Sequence, residues 1–312
     1  MHKTKAKLDM RFIAIGAIFI IALYVLLPQV GDFKASRHML SHPEIPWLLA
    51  AIAFVSLTYF SAGGTYYFLA FRKLKYGRTV LVELAAMFIN RLLPGGVGAL
   101  GANYIYLKRN HSNAGQAGTI VAINNTLGFV GHSLLALIIL AIYSGHTVSL
   151  NKHEANSWNS IIKYVVAVLA IGAVALLIFG RKRIRKFMAG IGQQLMSYKK
   201  QPWKLVVALL TSMTLTLFNV ACLFACMQSI GGDLSFFAVF LIFSFGVSAG
   251  TATPTPGGLG GYEAALTAGF VAYGMEGPMA LAIALLYRLV SYWLPLLVGS
   301  VAFFFSQKRR YI

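Results

Sequence analysis

Asn90-Arg91-Leu92-Leu93-Pro94-Gly95-Gly96-Val97-Gly98 and Thr253-Pro254-Thr255-Pro256-Gly257-Gly258-Leu259-Gly260-Gly261-Tyr262-Glu263 are two versions of one passage, and each lies inside a stretch otherwise apolar enough to be membrane helix. A Pro-Gly-Gly cluster breaks the backbone hydrogen-bond ladder, because proline has no N–H and glycine readily leaves helical geometry. In hydrocarbon no water replaces the lost bonds. Broken backbone at bilayer depth is therefore stable only where protein or a water-filled cavity satisfies it. Paired interruptions in corresponding places of two halves of a chain are a sequence sign of a transporter's binding site.

Outward from these passages the chain is apolar almost throughout. Of its 312 residues 58% are hydrophobic and 11% charged, and the apolar residues come in long runs. That is a membrane composition. No polar stretch is long enough to form a separate soluble domain, so any chemistry is expected within the bilayer or at its surface. The formal charge of +19, from 27 Lys and Arg against 8 acidic residues, would raise nucleic acid as a partner for a soluble protein. Here the basic residues sit between apolar runs. This is the positive-inside pattern, and the partner it implies is the anionic cytoplasmic leaflet rather than nucleic acid.

Cys222 and Cys226 are the two cysteines, one helical turn apart with no His beside them. They exclude a disulfide framework, leave a metal without ligands and read as packing. Neither metal nor cofactor is implied. A basic N-terminus precedes the first apolar run, as in a signal peptide, but no A-x-A-like cleavage site follows and a retained helix is expected.

Segments 12–28, 46–71, 116–143, 161–180, 202–229 and 278–306 are each long enough to cross roughly 30 Å of hydrocarbon at about 1.5 Å per residue. Segments 79–107 and 234–273 carry the Pro-Gly-Gly passages near their middles, leaving legs too short to span alone. Read as re-entrant hairpins, they put the N-terminus, the 72–78 loop, Lys108-Arg109, the 181–204 segment and the Lys308-Arg309-Arg310 tail on one side. Read as kinked full crossings, they send the basic run 181–186 outside, against the positive-inside rule.

The expected fold is all-α and polytopic: six crossing helices plus two re-entrant Pro-Gly-Gly helical hairpins in an inverted-topology repeat. Residues 1–160 hold two crossings, a hairpin at 79–107 entering from the cytoplasm, and a third crossing. Residues 161–312 hold a crossing, an amphipathic cytoplasmic helix at 181–201, another crossing, a hairpin at 234–273 entering from outside, and the last crossing. The amphipathic helix is read from Ile184, Phe187, Met188, Ile191 and Leu195 at helical spacing. Both termini are expected in the cytoplasm and the two turns near the midplane.

Ionisable groups at membrane depth are costly, which makes Glu83, Arg91, Glu263 and Arg288 candidate functional residues and His132 a weaker one, readily explained as structural. Mutual pairing is the simplest way to offset the cost. At the first hairpin, Arg91 precedes the turn and the outgoing leg opens without an acidic residue. Free N–H groups there, with Gly95, Gly96 and Gly98 beside Pro94 permitting close approach, suit an anion such as phosphate. Asn90 and Asn103 are placed to add hydrogen bonds. At the second hairpin, after Pro256, Gly257, Gly258 and Gly260, Glu263 falls in the first turn of the outgoing leg, where it occupies the helix dipole itself. Arg288 is its natural counter-charge. Two roles are open to Glu263: fixed partner of Arg288, or proton carrier displaced by an anionic headgroup. Glu83 is a second candidate for proton coupling.

The second passage, followed by Arg288, resembles the signature of the membrane domain of the lysylphosphatidylglycerol synthase/flippase family, and 90–98 resembles that family's earlier motif. The resemblance implies a multi-pass protein of the bacterial inner (cytoplasmic) membrane. In that family the membrane domain is linked to moving an aminoacylated phospholipid between leaflets while a separate soluble domain performs the aminoacylation. Stand-alone members are flippase-like, and some relatives are tied to polyprenyl-linked sugars. Where family members often carry an acidic residue and an Arg after the first turn, this chain has Gly101, Asn103 and Tyr104.

The function expected is translocation of a phospholipid or other lipid-phosphate, without enzymatic chemistry and with anionic phospholipids as partners. Secondary transport of a small anionic solute is the alternative, and an enzyme or accessory factor acting on a lipid-linked donor stands behind it.

Overall fold

The computed structural model describes residues 43–93, 97–110, 112–144, 195–253 and 255–312. Among these the chain forms eight helices and no strand: α1 Ile45–Leu69, α2 Tyr76–Leu92, α3 Val97–Arg109, α4 Ala114–Ser144, α5 Trp203–Ser229, α6 Phe236–Ala252, α7 Gly261–Ala272 and α8 Gly277–Lys308. α1, α4, α5 and α8 are long and apolar enough to cross a membrane. They correspond to four of the six expected crossings. The segments 12–28 and 161–180 lie outside the described residues, as does most of 181–201.

The centre of the fold is the antiparallel pair α1 and α5. Small residues let the backbones close, and α5 buries Ala208, Ser212, Thr216 and Val220 at i, i+4 spacing along one stripe. Gly64 of α1 sits where a Cβ would touch the Thr211 methyl at 3.4 Å. Beside it Thr65 and Thr211 hydroxyls are hydrogen-bonded at 3.0 Å, an interhelical bond worth roughly 0.6 kcal/mol in a bilayer. Farther along, Phe54 stacks on Phe218 and Trp47 meets Phe224 edge-on. The two ends are tied as well. The Glu44 N–H donates to the Ser229 carbonyl at 2.8 Å, while Lys204 and Tyr198 donate to the carbonyls of Ala70 and Leu69.

The chain reverses between α2 and α3 and again between α6 and α7. In the first, the Thr79 and Tyr106 hydroxyls are 2.9 Å apart and a Cβ on Gly98 would lie 2.7 Å from the Ile89 carbonyl, so α3 returns antiparallel along α2. In the second, Cβ atoms on Gly250, Gly246 and Gly269 would meet Tyr262, Leu266 and Ile242 respectively, which runs α7 back along α6. The reversal brings Lys108 and Arg109 to the end of the molecule that holds Arg78. Arg78 in turn lies 4.5 Å over the ring of Tyr311, so the basic tail joins the same end. Basic residues thus collect at one end of the described structure.

Candidate functional site

The two reversals meet on one side chain, Tyr292. It stands in a π turn, Leu289–Trp293, inside α8. Its hydroxyl donates to the Arg91 carbonyl at 3.3 Å, at the end of α2. On the other side its ring fills the place a Cβ on Gly257 would take. Gly257, at φ 62, and Gly258, at φ 67, hold left-handed backbone in the short Pro256–Gly258 turn; at Gly257 a side chain would also strike Tyr292, and at Gly258 the Gly250 backbone.

Around Tyr292 the charges are arranged asymmetrically. Arg288 Nε donates to Glu263 Oε1 at 2.6 Å, and Nη2 donates to the Gly257 carbonyl at 2.9 Å. Its guanidinium lies 4.4 Å from the Tyr292 ring and 5.0 Å from that of Tyr262. Glu263 Oε2 accepts the Gly260 N–H at 2.7 Å, so the carboxylate caps α7 while it holds the arginine. Both residues are buried. The sequence expectations for this pair, counter-charge and dipole partner, are met together.

Arg91 is held differently. Its Nη2 donates to the Tyr59 hydroxyl at 3.0 Å and to the Ser291 carbonyl at 2.8 Å, its Nη1 has no partner among the described residues, and its guanidinium lies 5.4 Å from the Tyr292 ring. The Ser291 carbonyl is free for a reason visible in the sequence. Its donor in a regular helix would be the N–H four residues on, and that residue is Pro295. Among the described residues the one ion pair is Arg288 with Glu263. Two guanidinium groups and one carboxylate thus converge here, leaving the charge of Arg91 uncompensated.

Pairing among all four ionisable groups does not occur. Glu83 lies apart in α2, buried beside Asn103 of α3, so Asn103 belongs with Glu83 and not with the expected anion site at Arg91. The structure also gives Asn90 and Gly98 work within the hairpin. Asn90 Oδ1 accepts the Ala99 N–H at 3.3 Å, taking up one of the donors expected to face an anion. Gly98 lets the two legs touch, since a side chain there would strike the Ile89 and Asn90 backbone. Pro94, Gly95 and Gly96 lie outside the described residues. His132 stacks on Phe240 at 5.6 Å, and Cys222 and Cys226 are buried, which are packing roles. Tyr59, Ser291 and Tyr292 are the site residues that sequence reasoning missed.

Residues 13–299 match the family described as the lysylphosphatidylglycerol synthase TM region. The chain belongs to that family. Members similar to it include UPF0104 membrane proteins of three archaea. The protein of Methanocaldococcus jannaschii is 25% identical over 244 residues, covering 71% of this chain and 72% of that protein. Those of Pyrococcus horikoshii, 34% identical over 73 residues, and Methanothermobacter thermautotrophicus, 33% over 79 residues, align over 23% and 25% of this chain and only 22% and 24% of their own lengths. The family match runs from before α1 into α8. It includes both chain reversals, both arginines and Tyr292.

Proposed function

We propose that this membrane protein translocates a phospholipid or another lipid-phosphate between leaflets and catalyses no reaction. The observation that carries the reading is Arg91: a guanidinium beside the first reversal, in contact with Tyr292 and without a carboxylate partner among the described residues. A phosphate would supply the missing charge and accept from Nη1. Arg288 is already engaged by Glu263 and serves the second reversal as a framework. In this reading α2–α3 and α6–α7 are re-entrant hairpins, segments 12–28 and 161–180 complete six crossings, and the halves form an inverted repeat in the cytoplasmic membrane with both termini inside. The antiparallel course of α1 and α5, the second and fifth crossings, supports the inversion. Anionic phospholipids are the partners.

The test compares Arg91→Ala with Arg72→Ala, the latter an exposed-end arginine. Arg91→Ala is expected to slow movement of a fluorescent anionic phospholipid in proteoliposomes at least tenfold and to weaken its retention in native mass spectrometry, while Arg72→Ala changes either little. Equal effects of both changes would reduce the site to surface electrostatics.

A further inference from the structure

Glu83, Asn103 and Tyr66 form a second polar cluster, away from Tyr292, at the junction of α1, α2, α3 and α4. Glu83 is 2% exposed, Asn103 1% and Tyr66 4%. Asn103 stands beside both Glu83 and Tyr66, and Tyr66 stands beside Asn124 of α4. Among the described residues, two acceptors in this cluster have no donor: Glu83 Oε1 and Asn103 Oδ1. Buried acceptors are seldom left unmade, and a buried carboxylate is paired or neutral. Among the described residues, the groups facing Glu83 offer no cation. Tyr59 and Tyr66 approach from α1 and Tyr106 from α3. α8, packed along α2, adds no charged partner to Glu83. Arg91 is about two helical turns along α2 and donates to Tyr59 and Ser291 rather than to Glu83.

We propose that Glu83 and Asn103 form a proton-binding site inside the first hairpin, loaded and emptied in the working cycle. A proton on Glu83 converts one orphan acceptor into a donor, and the carbonyl of Asn103 is the acceptor that lacks one. When the proton leaves, the amide N–H of Asn103 serves the carboxylate instead. An asparagine presents both ends, so the pair accommodates either state where an aliphatic neighbour would accommodate only the acid. Loading alters the bond between the two legs of the hairpin and its tie through Tyr66 to α1 and α4. The link from this site to lipid movement rests on the function proposed above; the site itself does not.

Dicyclohexylcarbodiimide, which attacks protonated carboxyls in apolar surroundings, probes it directly on the full chain in proteoliposomes. Peptide mapping is expected to find the adduct on Glu83, with yield falling several-fold from acid to alkaline pH, and none on ion-paired Glu263. Absence of a Glu83 adduct at every pH in protein that keeps its native melting transition would overturn the site, as would a yield indifferent to pH. Protection by sodium ions at acid pH would overturn it too, because a metal ion would then be the occupant. Lipid movement is followed in the same vesicles. Labelling as expected without lipid movement leaves the proton site standing and removes the lipid reading, whereas lipid movement without a Glu83 adduct removes this inference alone.

Discussion

Glu263 and Arg288 carry opposite charges in a place where neither would be stable alone, and each also satisfies backbone: the carboxylate caps α7 and the guanidinium holds the Gly257 carbonyl. Glu263→Gln therefore strands a buried guanidinium and is expected to destabilise the protein by roughly 3–5 kcal/mol. The double change with Arg288→Gln is expected to recover much of that loss, because the residues are directly coupled. Thermal melting of the three proteins in one detergent checks both. This pair was legible in the sequence because acids and bases are conspicuous among apolar neighbours. Tyr292 and Tyr59 were not. They are two of 15 tyrosines in a chain of 13% aromatic content, and nothing local marks them as arginine partners. Ser291 did have a signal, since Pro295 four residues on withholds the donor that would have claimed its carbonyl. A lone proline in an apolar run is easily read as no more than a kink.

Among the elements, the Pro-Gly-Gly passages led to an expected change of chain direction at each, and α3 runs back along α2 and α7 back along α6. What stayed hidden was the use made of individual glycines, which depends on what lies across the gap rather than along the chain. Gly98 and Gly101 stand in one helix three residues apart, yet a Cβ on Gly98 would lie 2.7 Å from α2 backbone while Gly101 has nothing within 4 Å. Gly98→Ala is expected to prise the legs apart at about 1–3 kcal/mol. Gly101→Ala should be neutral or stabilising by up to about 1 kcal/mol through helix propensity. Melting temperatures of the two variants, measured side by side, decide it. Loss of stability from Gly101→Ala equal to that from Gly98→Ala would mean the legs do not pack as described.

At the scale of the whole molecule, charge gathered at one end of the bundle is the feature sequence and structure share most directly. Arg78, Lys108, Arg109, Lys204 and the basic tail belong to the end where α1 finishes and α5 begins, and Asp233 follows the other end of α5. With the basic end in the cytoplasm, Asp233→Cys is expected to react with an impermeant thiol reagent added to intact cells and Lys73→Cys only after lysis. The native Cys222 and Cys226 are buried and stay silent. The reverse pattern would invert the orientation. The pair α1 and α5 also has a mechanical consequence. Fastened to each other at both extremities and along the middle, two antiparallel rods cannot slide like pistons without breaking the fastenings at top and bottom together. If the protein alternates access as proposed, this pair is its stator and the movement falls to the parts packed around it.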